Sequence, residues 1–396
     1  MVRAIPPGGN WKSIPSDIPS ARLAQIRATF AAGNGSRSTY YGRLRPDMPS
    51  FTISTCINRP GNGCYIHFDA SQDRLISQRE AARLQSFPDW FVFHGNRSSV
   101  NKQIGNAVPP LLAYHVARAL PHRGQFVDLF SGAGGLSLGF KTAGWTPLVA
   151  VDLESSAIKT YDANIHPETI VGSLDDGEVF QRAVEMTTRS RARGKPLYVI
   201  GGPPCQGLST AGNRRSLLDP RNSLFLRYSE FLRSVRPDGF VFENVPGILT
   251  MDHGRFIDEV VKELSQHARR VDRWVLNAAE FGVPQRRQRV FLVGSNTIHG
   301  RLPAPVPLTP GLPGKTTVDD VARSISVREA LDDLPPLRAG QDGSDLDYLH
   351  PPAGEYQSLM RGVMSPVAIA SLAERTHASS TDSRSRPLSA VPRPAH

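Results

Sequence analysis

Short apolar runs recur between residues 126 and 294, and turn-forming or polar residues flank each of them. Runs of this length that are rich in Val, Ile and Phe are typical of buried β-strands. The pattern predicts six strands, at FVDLF (126–130), LVAVDL (148–153), LYVIGG (197–202), GFVFENV (239–245), WVLNA (274–278) and RVFLVG (289–294).

Amphipathic stretches lie between these runs, with apolar residues recurring every three to four positions as in a helix with one buried face. Strands that alternate with helices indicate an α/β fold, in which a mostly parallel sheet has helices on both faces. The clearest helical stretches are Leu224, Phe225, Tyr228, Phe231, Leu232 and Val235, and Phe256, Ile257, Val260, Val261 and Leu264.

The chain differs on either side of this region. Residues 1–122 contain many turn signals, such as PPGGN and NRPGNG, together with two helix-like stretches, SQREAARLQSF and LLAYHVARAL. The sequence after Gly294 is rich in Pro, Gly and Asp, and residues 379–396 are biased to Ser, Arg and Pro, which predicts a disordered tail.

Composition and charge narrow the function classes. No run reaches the roughly 18 apolar residues of a membrane helix, and no signal peptide is evident, so we expect an intracellular protein. The net charge of +10 favours a polyanionic partner, and residues 1–122 hold 14 Lys+Arg against 6 Asp+Glu. The three cysteines, Cys56, Cys64 and Cys205, show no disulfide pattern and no zinc-like spacing. We therefore expect free thiols and no metal.

A glycine-rich turn follows the first strand, in FVDLFSGAGGLSLGF. A strand, a glycine turn and a helix in this order place backbone N–H groups toward a nucleotide-like ligand. Asp152 ends the next strand, where its carboxylate can accept hydrogen bonds from ribose hydroxyls. The third glycine of the dinucleotide pattern is absent, which disfavours NAD.

Chemistry-bearing residues follow three later strands. GGPPCQG places Cys205 on a stiff turn after a strand, where a thiol is well situated to act as a nucleophile. Glu243 ends the next strand in FENVPG, and Arg287 and Arg289 are two residues apart in QRRQR. These groups predict a cleft that holds a thiolate, a proton donor and cationic hydrogen-bond donors.

The stretches FSGAGG, PPCQG, ENV and QRRQR closely resemble the DNA (cytosine-5)-methyltransferase family. RLISQREAARLQSFPD and KQIGNAVPP resemble the two closing motifs of that family. The resemblance covers most of residues 1–297. It implies a Rossmann-like sheet that binds S-adenosylmethionine, plus a small irregular target-recognition domain.

The resemblance also implies a mechanism. Cys205 would attack C6 of a cytosine flipped out of double-stranded DNA, and Glu243 would hold and protonate N3. Arg289 would contact the base O2, and Arg287 would help to position the thiolate and phosphate. The methyl group would then pass from S-adenosylmethionine to C5.

The remaining site residues come from the same resemblance. Family members often carry an aromatic residue at Leu153 and an aspartate at Ser173, so we expect somewhat weaker cofactor binding here. The cofactor would contact Phe130, Gly132, Gly134, Asp152, Leu153, Ser173, Pro204 and Asn106. DNA would contact Gln206, Ser209, Arg214, Arg215 and Gln285, several of them in a loop that closes over the flipped base.

The order of the motifs is unusual, because the pair that closes most family members comes first here. The sequence therefore resembles a circular permutation, in which PHRGQ joins the closing motifs to the first strand. This reading predicts that residues 1–50 and 298–378 form the target-recognition region. Residues 51–122 would carry the closing motifs and residues 123–297 the catalytic domain.

Three functions fit the sequence. The first is a bacterial DNA methyltransferase that acts in the cytoplasm at the nucleoid, in a restriction-modification or epigenetic role and with a cognate restriction endonuclease as a partner at the pathway level. The others are an RNA cytosine-5 methyltransferase and a catalytically idle DNA-binding subunit. The intact Cys205, Glu243 and Arg289 favour an active enzyme.

Overall fold

A seven-stranded sheet forms the centre of the molecule. The computed structural model describes residues 1–34, 39–165, 168–204, 223–308 and 324–364. The strands of this sheet are β3 (Gln125–Leu129), β4 (Thr146–Asp152), β5 (Thr169–Val171), β6 (Leu197–Gly201), β7 (Gly239–Asn244), β8 (Arg270–Asn277) and β9 (Gln288–Ser295). A separate pair joins β1 (Gly42–Arg43) to β2 (Cys64–Ile66).

The strands are ordered β5-β4-β3-β6-β7-β9-β8. The first five are parallel, whereas β9 runs antiparallel to both β7 and β8. All six predicted strands are present, and the mostly parallel sheet is confirmed. The parallel strands bring their carboxyl ends to one edge, which is where α/β sheets bind ligands.

Helices cover both faces of the sheet, as predicted. These helices are α2 (Gln78–Leu84), α3 (Arg97–Asn106), α4 (Pro110–Ala119), α5 (Gly135–Thr142), α6 (Ser155–Asn164), α7 (Gly177–Ser190), α8 (Ser223–Val235) and α9 (Arg255–Leu264). On one face, inward side chains such as Phe126, Ala150 and Tyr198 share a core with α2 to α5. The alternate residues, such as Val127 and Val149, pack on the other face with α7 to α9, and α6 lies beside β4 and β5.

The first 76 residues add a small apolar cluster around α1 (Ala21–Ala31), which includes Trp11, Leu23 and Ile66. The fully buried Arg43 ties this cluster together, because its guanidinium donates to the backbone carbonyls of Val2, Ile5 and His67. A buried cation that is fully hydrogen-bonded in this way fixes several chain segments at once.

Two short helices near the C-terminal end, α10 (Val327–Leu331) and α11 (Glu355–Met360), pack with α2. A buried ion network joins them, in which Asp333 pairs with both Arg83 of α2 and Arg361. Arg83 also donates two hydrogen bonds to Asp89, at 2.8 and 2.5 Å. The beginning and the later part of the chain therefore share one core. None of the helices within the described ranges is long and apolar enough to cross a membrane.

Candidate active site

The glycine turn begins where β3 ends. Phe130, Gly132 and Gly134 all have positive φ, and Gly134 caps the N-terminus of α5. A Cβ atom added to Gly132 would meet no atom within 4 Å, so the space above this residue is open. The turn can therefore admit a ligand close to the backbone.

Asp152 lies directly against this turn. One carboxylate oxygen accepts from the N–H of Gly132 at 2.8 Å, and the other accepts from the N–H of Glu154 at 2.9 Å. Burial raises the pKa of Asp152, although these backbone hydrogen bonds act in the opposite direction. Each oxygen keeps a second lone pair for a further donor, so the carboxylate can still receive ligand hydroxyls.

The structure also describes the other predicted cofactor residues, whose role stays a prediction. Leu153 is 67% exposed, which leaves an apolar surface open beside Asp152. The half-buried Ser173 accepts a hydrogen bond from the N–H of Asp175 at 3.2 Å. Asn106 is exposed at the end of α3, close to where Ala107 and Val108 approach Gly135. Pro204 is also exposed, just after β6.

A buried polar network joins β3, α5 and α6 next to the glycine turn. Asp128 of β3 is 1% exposed and accepts a hydrogen bond of 2.5 Å from Ser137 of α5. Ser137 also contacts the hydroxyl of Tyr161 of α6 at 2.8 Å. Burial raises the pKa of Asp128 to about 8, so the neutral acid is the favoured form at neutral pH. The sequence analysis did not predict this structural role of Asp128, although Asp128 is the single carboxylate inside the apolar run FVDLF.

Glu243 and Arg289 form an ion pair at the carboxyl end of β7. Arg289 Nε lies 2.6 Å from Glu243 Oε1, and both side chains are largely buried. Nε has no well-aligned hydrogen bond within the described part of the chain, so the contact is mainly electrostatic. Burial raises the pKa of Glu243, and the positive charges of Arg289 and Arg287 limit that rise.

The backbone after β6 is shaped to receive this carboxylate. A Cβ atom on Gly202 would lie 2.6 Å from Glu243 Oε2, so a larger residue here would displace the carboxylate from its present position. Asn244 donates from its side-chain amide to the carbonyl of Pro203 at 3.2 Å. The two strands are thereby tied together at the point where the chain leads to Cys205. Cys205, Gln206, Ser209, Arg214 and Arg215 lie outside the described residues, as does the predicted tail at 379–396.

Arg287 is buried just before β9. Its guanidinium donates to the carbonyl of Ile53 at 2.9 Å and to the carbonyl of Gly105 at 2.7 Å. Burial lowers the pKa of Arg287 well below its usual value. These hydrogen bonds join the N-terminal third to the strand that carries Arg289. The predicted contribution of Arg287 to the thiolate and phosphate stays a prediction.

Gln285 requires a correction, because its side chain is fully buried. Its amide oxygen accepts from the N–H of Ile53 at 2.8 Å, and its amide nitrogen donates to the Leu84 carbonyl and to Gln85 Oε1. It has no surface at which to contact DNA. We refer to Gln285 and Arg287 together as the clamp.

These features define a doubly wound α/β protein. The carboxyl ends of its parallel strands carry a glycine turn, an adjacent carboxylate and a buried carboxylate–guanidinium pair. The described residues hold no group of three or more His, Cys, Asp or Glu side chains that could bind a metal ion.

The chain belongs to the C-5 cytosine-specific DNA methylase family, whose model matches residues 10–122 and 124–323. It is 37% identical over 249 residues to the type II methyltransferase M.AgeI of Thalassovita gelatinovora, which covers 60% of this chain and 57% of the relative. It is also 37% identical over 247 residues to the type II methyltransferase M.DdeI of Desulfomicrobium norvegicum, covering 60% and 54%. The chain thus spans little more than half the length of these curated relatives.

A solved structure of the Dnmt2 methyltransferase from S. pombe overlaps the chain in part. The sequence identity is 22%, the TM-score is 0.36, and the overlap covers 45% of this chain and 53% of the other. The family membership does not depend on this partial overlap.

Proposed function

We propose that this protein is a DNA (cytosine-5)-methyltransferase that uses S-adenosylmethionine. The observation that carries the proposal is the buried Glu243–Arg289 pair beside Gly202, a residue that precedes Cys205 by three positions in the sequence. A carboxyl group with a raised pKa next to a guanidinium suits a site that must protonate one atom of a base while it holds another.

The chemistry explains why these groups are needed together. Cytosine is a poor nucleophile at C5, so the Cys205 thiolate adds to C6 and forms an S–C6 bond. Glu243 gives a proton to N3 as that bond forms, and Arg289 donates to O2. The electron pair released toward C5 then makes that carbon nucleophilic. Once C5 carries the methyl group, loss of the C5 proton to water, cleavage of the S–C6 bond and return of the N3 proton to Glu243 restore the aromatic ring, the thiolate and the acid.

The residues at the glycine turn fit S-adenosylmethionine. The open space above Gly132 admits the methionine end, Asp152 can bind ribose hydroxyls, and the exposed Leu153 can cover one face of the adenine. When bound, the cofactor supplies the methyl group. Ser173 stands where an aspartate is common, and its hydroxyl can make one hydrogen bond to the adenine amine.

Double-stranded DNA is the proposed substrate. The family description names DNA, and the net charge of +10 suits a polyanion. The named relatives are type II methyltransferases, so we place this activity in a restriction-modification system with a cognate endonuclease, in the cytoplasm at the nucleoid. Base flipping is required because C5 and C6 are stacked within a duplex.

The circular permutation belongs to the same proposal. The packing of α4 against α5 supports it, because that contact lets a short connection lead from the closing motifs into β3. The divided target-recognition region, at 1–50 and 298–378, and the catalytic domain at 123–297 are proposed on the same basis.

The decisive experiment measures 5-methylcytosine in plasmid DNA from a host that lacks cytosine methylation. The host expresses the wild type, the Cys205→Ser variant or a Cys56→Ser control, which removes another thiol. We expect methylation with the wild type and the control and none with Cys205→Ser, and sequencing of the modified bases would reveal the target site. A folded wild type that binds cofactor but leaves DNA unmodified would refute the proposal and favour an RNA substrate or an idle subunit.

A further inference from the structure

Residues 50–53 pair with residues 284–287 in a short parallel strip next to β9. The N–H of Ser50 donates to the Pro284 carbonyl at 2.9 Å, and the N–H of Arg286 donates to the Ser50 carbonyl at 2.8 Å. Thr52 Oγ1 then donates to the carbonyl of Arg286 at 2.8 Å. This register sets Ser50 opposite Gln285 and consequently Phe51 opposite Arg286.

The two faces of the strip have different environments. The inward face carries the clamp residues, which donate hydrogen bonds to backbone and side-chain partners of the N-terminal third. On the outward face Phe51 is 46% exposed and Arg286 is half-buried. Alternation along an extended chain explains this division, because successive side chains point to opposite sides.

Arg286 is a partly desolvated cation without an anionic partner. Its Nε is buried and has no hydrogen bond, and no carboxylate among the described residues forms a salt bridge with it. The Nε atoms of Arg287 and Arg289 also lack a hydrogen bond, but other nitrogens of these guanidinium groups donate to carbonyl oxygens, and Arg289 pairs with Glu243. Burying a charge without a partner is costly, so an external anion would stabilise this guanidinium.

The position of Arg286 identifies which anion it meets. Glu243 pairs with Phe291 and Asn244 with Val290, so residues before Val290 extend past the carboxyl end of β7. Arg286 precedes Arg289 by three residues, which is about 10 Å in an extended chain. It therefore lies at the same edge of the sheet as the proposed cytosine site.

We propose that Arg286 binds a backbone phosphate of the DNA beside the target cytosine, and that Phe51 packs against the same stretch of DNA. This inference rests on the proposed function and replaces the predicted DNA contact of Gln285. The clamp residues of QRRQR, which face inward, support the active site, and Arg286, which faces outward, contacts the DNA.

The test compares Arg286→Ala and Arg286→Lys with Arg189→Ala, an exposed arginine on α7 as a matched control. The binding constant for a fluorescent duplex DNA of mixed sequence is measured over a series of salt concentrations. Losing one phosphate contact should reduce the slope of log K against log salt by about 1. Arg286→Lys should keep most of the salt slope. Phe51→Ala should weaken DNA binding but leave the salt slope unchanged.

Methylation kinetics on plasmid DNA provide the second readout. Arg286→Ala should raise KM for DNA while leaving kcat and the Kd for S-adenosylmethionine unchanged. An unchanged salt slope in Arg286→Ala, with DNA binding intact, would overturn this inference alone. A folded wild type that binds no DNA would instead overturn the proposed function together with it.

Discussion

Replacing Asp128 with asparagine is expected to stabilise the protein progressively as the pH rises. The native state keeps this buried acid protonated up to a pKa of about 8, whereas the unfolded chain releases the proton near 3.8. The raised native pKa means that stability is fully present at low pH and is lost as pH rises toward 8. Asparagine is neutral throughout and can still accept the hydrogen bond from Ser137.

The size of the stability difference follows from the raised pKa of Asp128. The rise in pKa from 3.8 to about 8, at 1.36 kcal/mol for each pH unit, gives a ceiling of about 6 kcal/mol for the whole interval. Urea unfolding of the wild type and of Asp128→Asn from about pH 5 to about pH 8 measures the difference. Asp347→Asn, in an exposed segment, serves as the control. A stability difference between Asp128→Asn and wild type that stays constant with pH would refute the reasoning.

Four further expectations follow from the site and the strip. Glu243→Gln should lower kcat by about 10²–10⁴-fold and abolish the decline in activity that we expect of the wild type as rising pH deprotonates this acid, both measured on plasmid DNA across pH. Arg287→Lys should cost about 3 kcal/mol of unfolding free energy, because lysine has one donor nitrogen whereas two guanidinium nitrogens of Arg287 each reach a different buried carbonyl; a cost near zero in urea unfolding would contradict this. Gln285→Ala should cost about 2–4 kcal/mol in the same assay, whereas the exposed Gln288→Ala should cost little. Moving residues 1–122 behind the C-terminal end should preserve methylation of plasmid DNA, and an inactive product of a well-folded rearranged chain would count against the permutation.

The sequence was sufficient to predict the central sheet and the residues at its carboxyl edge. The apolar runs from 126 to 294 are long and regular, so their period and composition identified every strand except the three-residue β5. Asp152 and Glu243 lie at the carboxyl ends of β4 and β7, two parallel strands of the same sheet that β3 and β6 separate. Their placement at one edge follows from topology, and topology follows from that pattern.

The direction of side chains in the strip could not be predicted. Arg286 and Arg287 are adjacent residues of the same type, and only the pairing with residues 50–53 decides which one is buried. That pairing joins segments separated by more than 200 positions, so no local pattern records it. The two-residue β1 escaped prediction for a related reason, since its partner and the buried Arg43 set its geometry.

The buried ion network around Arg83 can form only late in the synthesis of the protein on the ribosome. Arg83 is made early, but its partner Asp333 follows 250 residues later, and Gln285 reaches Leu84 across 201 residues. At about 5–20 residues per second, the ribosome adds Asp333 on the order of 10–50 s after Arg83, so the first third of the chain is made well before the segments that pack against it. Throughout that interval its apolar surfaces are uncovered, so holding by a chaperone during translation would raise the yield of active protein.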